Sequence, residues 1–158
     1  NLIQEIHVPA NVPSATNPAF EFTWKCGFVL KATHTLRVTT QVANTFNIIA
    51  EGLDWTYFTQ AVRPESTNFT AQTGSAIVSV ANSALNGTGT LATVITASNG
   101  GVTWNGLRLE SVTVKARVTT TMGMVRLFIY DGTNTRLFKE IPIPAITQSD
   151  KKKTFDYS

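Results

Sequence analysis

SVTVKARVT, residues 111–119, decides the fold class. Val112, Val114, Ala116 and Val118 fall on one side of an extended chain, and Ser111, Thr113, Lys115, Arg117 and Thr119 on the other. That period of two belongs to a strand with one face buried. Residues 124–130 (MVRLFIY) repeat the pattern, with Val125, Leu127 and Ile129 on one face. Asp131-Gly132-Thr133-Asn134 then supplies turn chemistry, and residues 135–141 return as the second arm of a hairpin. Pro142 and Pro144 flank Ile143; neither can donate to a ladder, which places this segment at a sheet edge or a bend.

Working outward, residues 28–31, 35–42, 45–50 and 91–97 also read as strands, the last ended by Asn99-Gly100-Gly101. Gly87-Thr88-Gly89 reads as a turn. No stretch carries a helical period. The expected fold is all-β, an antiparallel β-sandwich of jelly-roll-like type. The 158 residues suffice for one such sandwich. Charged residues make up 15% of the chain, against roughly 25% in an average globular protein. With abundant Thr, Val, Ile and Phe, this indicates a folded β protein rather than a disordered one.

The same composition excludes several function classes. The net charge of +3 is not gathered on a face. Its single run, Lys151-Lys152-Lys153, stands between Asp150 and Asp156 and reads as a solvated loop, so no nucleic-acid partner is expected. Cys26 is the lone cysteine and allows no intrachain disulfide. No apolar run approaches the roughly 18 residues that a membrane helix needs, and no membrane partner is expected. Asn1 opens the chain without a signal-like start and reads as a processed or trimmed beginning.

An internal repeat organises the rest. Residues 2–10 read LIQEIHVPA and residues 137–145 read LFKEIPIPA. At the same offset of 135 residues, Phe20-Glu21-Phe22-Thr23 falls opposite Phe155-Asp156-Tyr157-Ser158. The chain is therefore read as two half-modules: residues 1–60 close one β-sandwich module, residues 61–76 (AVRPESTNFTAQTGSA) are a linker, and residues 77–158 open the next. A half sandwich leaves an apolar face uncovered and an edge unpaired. Three arrangements resolve this: closure of the halves on each other in permuted order, strand exchange between subunits, or a window on a longer protein.

Chemistry-bearing constellations are sparse. His7 lies in an apolar strand opposite Pro142 of the repeat, and His34 lies at a turn; with Cys26 they have no metal-ligand spacing. Carboxylates are scattered. Glu5 and Glu140 recur at equivalent repeat positions, which suggests a shared cross-strand contact with a basic residue. There is no nucleophile elbow, phosphate-cradling loop or dinucleotide fingerprint. No catalytic residue, metal or cofactor is expected. Trp55 and Tyr57, beside Phe58, and Trp104 near a glycine turn are the candidate ligand or subunit contacts.

Beyond these patterns, GTGTL at residues 87–91, LESVTVKA at 109–116 and TTTMGMVRLFIYDGTN at 119–134 are similar to a group of small phage and prophage structural proteins. In that group this stretch leads into a segment resembling residues 137–146, and then into one resembling residues 30–55, including Phe46-Asn47-Ile48-Ile49-Ala50. Here that closing part stands first. The resemblance implies a non-enzymatic virion protein with a β-sandwich, located in the virion, whose partners are the major capsid protein or other virion proteins and copies of itself. A capsid decoration or cement role leads. A fibre or tail component is the nearest rival, and a carbohydrate-binding sandwich for host attachment is the rival from another class.

Overall fold

The computed structural model describes residues 29–60, 63–97, 105–147, 149 and 155–157. Nine strands occur among them: β1 (Val29–Lys31), β2 (Thr35–Thr40), β3 (Phe46–Gln60), β4 (Arg63–Val78), β5 (Ala92–Thr96), β6 (Asn105–Ala116), β7 (Gly123–Tyr130), β8 (Thr135–Ile143) and β9 (Asp156–Tyr157). The first sheet runs β1-β6-β3-β4, with β9 also on β6; the second runs β5-β2-β7-β8. Every strand pairing is antiparallel. Only β3–β4 and β7–β8 are hairpins between successive strands. The connections β1 to β2, β2 to β3, β4 to β5, β5 to β6 and β6 to β7 each change sheet, the jelly-roll-like connectivity of a β-sandwich.

The period of two accounts for the core. Leu30, Phe46, Ile48, Ala50, Leu107, Val114 and Ala116 of the first sheet meet Leu36, Val38, Val94, Val125, Leu127, Ile141 and Ile143 of the second in one buried cluster. The central strand β7 is buried on both faces over most of its length. Its outer side, with Met124, Arg126 and Phe128, lies under the segment 79–91: Arg126 donates to the Ser83 carbonyl, and the Asn82 amide donates to the Thr40 carbonyl. Sandwich faces normally alternate with solvent; this one is covered by its own chain.

Two strand boundaries differ from the sequence reading for a common reason. β6 begins at Asn105, earlier than the expected 111, because Glu51 pairs with Ser111 while Gly52 pairs with Leu109. Glu110 is an extra residue, a β-bulge that resets the alternation and hides the first half of the strand. Gly52 has no Cβ to collide with the Arg108 carbonyl, which would stand 2.4 Å from it. At the other end β6 stops at Ala116, and Val118 is exposed rather than in the core.

The expected linker is corrected. Residues 63–76 lie in β4, paired along its whole length with β3 from Gln60–Arg63 to Phe46–Val78. From Phe69 onward β4 buries almost nothing before Val78. Its inward positions here, Gly74 and Ala76, are small, so its sequence carries no apolar alternation to read. The expected half-modules also share both sheets, since β3 pairs with β6 and β2 pairs with β5 and β7. Strands of residues 29–60 thus pair with strands from the described part of residues 77–158 within one chain. The edge expected at Pro142 is where β8 sits, last in its sheet.

Candidate functional site

Two surfaces carry the functional information. The first is the outer face of the first sheet. Register places Asn47, Ile49 and Glu51 of β3 beside Ser75, Ile77 and Thr73 of β4 and beside Ser111, Thr113 and Lys115 of β6. Ile49, Phe69 and Ile77 are exposed here, Phe69 to 67%. A shallow depression of about 450 Å³ lies along Asn47, Ile49, Ser75 and Ile77. The polar members are small and mostly neutral; Ser111 Oγ donates to Glu51 Oε2 at 3.2 Å. Isolated apolar residues on a surface need no explanation, but several on one sheet face with few charges suit a packing interface.

The second is the seam between β7 and β8. Arg126 stands opposite Glu140 in register, and Arg126 Nε donates to Glu140 Oε1 at 2.8 Å. Both side chains are buried, at 5% and 4% exposure. The cross-strand basic partner expected for Glu140 is Arg126. Beyond the pair, Ile141 and Ile143 enter the core, and Thr120 Oγ1 donates to the Pro144 carbonyl at 2.7 Å. Met122, Pro142, Pro144 and Ala145 line an open apolar depression at this end.

The aromatic candidates are not gathered into one site. Trp55 and Tyr57 lie in β3, in register with Phe69 and Thr67 of β4. The last β6 partner of β3 is Asn105, opposite Thr56; past it, the hairpin has no third strand among the described residues. Trp104 lies outside the described residues, as do Cys26, His7 and Lys151-Lys152-Lys153. Phe69, the most exposed large apolar residue among those described, was missed by the sequence reading because it lay in the supposed linker. His34 sits in the β1–β2 turn, where its Nδ1 lies 3.3 Å from the Ala32 carbonyl.

Among the described residues no group of three or more His, Cys, Asp or Glu side chains is placed to hold a metal ion. No helix there is long and apolar enough to cross a membrane. Comparison with protein-family models, with curated proteins and with solved structures finds no match to this chain.

Proposed function

We propose that this chain is a non-enzymatic structural protein of a phage virion, a capsid decoration or cement protein that assembles by packing of its β-sandwich. The observation that carries the reading is the outer face of the first sheet, where Ile49, Phe69 and Ile77 stand exposed among Ser, Thr and Asn. Such a face gives many shallow contacts, and symmetry multiplies weak contacts into a stable shell. The sequence resemblance to phage and prophage structural proteins supports the same class. The partners are then the major capsid protein or other virion proteins, together with copies of this chain.

Mass spectrometry of phage particles purified from the source culture tests this. The protein should co-purify with heads at a high and fixed copy number. Its recovery with tails alone would favour the fibre or tail reading, and its absence from particles would overturn the virion role. An Ile49→Asp/Ile77→Asp variant should keep its melting temperature and lose incorporation.

A second reading, a carbohydrate-binding sandwich, is favoured by the exposure of Phe69, since an aromatic ring on a β surface can stack on a sugar. Binding on a glycan array that is lost with Phe69→Ala would support it. An array without signal would remove it.

A further inference from the structure

We infer that residues 2–22 are a second occupant of the two edge positions held here by β8 and β9. A chain that closes with residues 2–22 then offers residues 135–157 to the same positions on a second copy. This deepens the assembly reading and rests on it for its use in a virion.

The repeat is concentrated where β8 and β9 make contacts. Glu140, the buried partner of Arg126, corresponds to Glu5. Ile141 and Ile143, buried in the core, correspond to Ile6 and Val8. Pro144, whose carbonyl accepts from Thr120, corresponds to Pro9. Further on, Phe155 packs edge-on against Phe46 with ring centroids 6.4 Å apart, and Asp156 pairs with Lys115 at 2.9 Å. Their counterparts are Phe20 and Glu21. The exposed or half-exposed positions Phe138, Lys139 and Pro142 become Ile3, Gln4 and His7. Residues 2–22 therefore carry the buried side chains that these edge positions hold, and the exposed Leu137 and Ala145 recur as well, as Leu2 and Ala10.

The topology adds an independent argument. β3 occupies one edge of β6, so β1 and β9 share the other edge and run in the same direction along it. Tyr157 pairs with Val114, and Val29 pairs with Arg108, six residues along β6. That distance is about 20 Å at roughly 3.3 Å per residue. Phe22, the counterpart of Tyr157, precedes Val29 by seven residues, which reach about 23 Å when extended. Phe20-Glu21-Phe22 placed at the β9 position thus lead straight into β1 along one edge.

Only one set of strands can hold these edges at a time. When residues 2–22 hold them, Glu140, Ile141 and Ile143 leave their places in the sandwich, and the complement of residues 135–157 is the same edge on another copy. Repetition of that step links copies head to tail, a heterologous contact that builds rings or filaments.

Disulfide trapping in the full chain, with Cys26→Ser, tests the inference. Pro142 has no N–H and pairs with Met124, so theirs is the closer, non-hydrogen-bonded kind of cross-strand pair, within disulfide reach. Met124→Cys with Pro142→Cys reports β8 in place; Met124→Cys with His7→Cys reports residues 2–10 in the same place. Both pairs should oxidise. The His7 cross-link should disappear with Ile6→Asp, and part of the Pro142 pair should oxidise between two chains, giving a disulfide-linked dimer on a non-reducing gel. Oxidation of the Pro142 pair with the His7 pair left reduced would overturn the second occupancy. A Pro142 disulfide found only within single chains would overturn the link between copies. Both measurements use the purified chain, so a failed virion assignment leaves them standing.

Discussion

Arg126 and Glu140 face each other across the β7–β8 seam, 2.8 Å apart and closed off from solvent on the outer side of their sheet. A buried pair is expensive to break from one side, because the remaining charge stays desolvated. Glu140→Ala should therefore cost about 3–5 kcal/mol of unfolding free energy, whereas Arg126→Met with Glu140→Leu should fall within about 1 kcal/mol of the parent. Urea unfolding of the three proteins checks the difference. Equal losses in the single and double variants would show that the loss comes from packing and not from charge.

Asn44 ties the β2–β3 connection to the β6–β7 connection. Its Nδ2 donates to the Thr121 carbonyl at 2.8 Å, and its Oδ1 accepts from the Thr121 amide and hydroxyl at 3.0 and 3.1 Å. Asn44 is buried but Thr121 is exposed, so Asn44→Ala loses these hydrogen bonds while water can meet the groups of Thr121, at a cost of about 0.5–1.5 kcal/mol. Asn44→Asp should be similarly damaging, since a carboxylate cannot donate to the carbonyl. Thermal unfolding of both variants distinguishes this from a side-chain volume effect, which Asp would rescue.

Gly74 marks where β4 passes against β5. A Cβ there would stand 2.3 Å from the Val94 carbonyl oxygen and 2.6 Å from Ile95 Cβ. Backbone cannot yield as a flexible side chain would. Gly74→Ala should lower stability by about 1–3 kcal/mol through overpacking. Amide hydrogen exchange should show the loss first in β4 and β5, and uniform exchange across the sandwich would contradict the local origin.

Asp131 organises the β7–β8 turn and sets an acid dependence. Its carboxylate accepts the Asn134 and Thr133 amides at 2.7 and 3.0 Å and the Arg136 guanidinium. The Asn134 amide first, then Arg136 and the Thr133 amide, hold its carboxyl well below the usual carboxylate range. A depressed folded-state pKa means that the unfolded chain takes up the proton first as pH falls. The contribution is full above the unfolded value of about 3.9 and is lost as pH drops below it. Asp131→Asn should thus flatten the pH dependence of stability between about pH 5 and 2. An unchanged slope would place the acid sensitivity elsewhere.

The strand hairpin at 124–143 was legible because β7 alternates in sequence and its turn residues have one use; the bulge at Phe138, between the Leu127–Lys139 and Phe128–Leu137 pairs, was not. Gly132 takes the left-handed φ of 95° that such a turn requires. The β4 strand was not legible, because its outer positions from Phe69 to Ile77 face solvent and its inner ones, Gly74 and Ala76, are too small to show an apolar alternation. For the same reason Phe69 went unnoticed as a surface feature. The phase reset at Glu110 hid the start of β6: a bulge is a relation between two strands, and one strand's sequence does not record it.

By itself the sequence determined the all-β class, the antiparallel hairpin and the edge position of Pro142. Each follows from residue type and spacing, which act within a few residues along one chain. Only the tertiary structure decided that strands β1–β3 share two sheets with strands β5–β9, that Arg126 is the partner of Glu140, and that β1 and β9 run along one edge of β6. These are pairings between distant segments, set by which apolar faces can cover each other and which backbone edges remain to be filled.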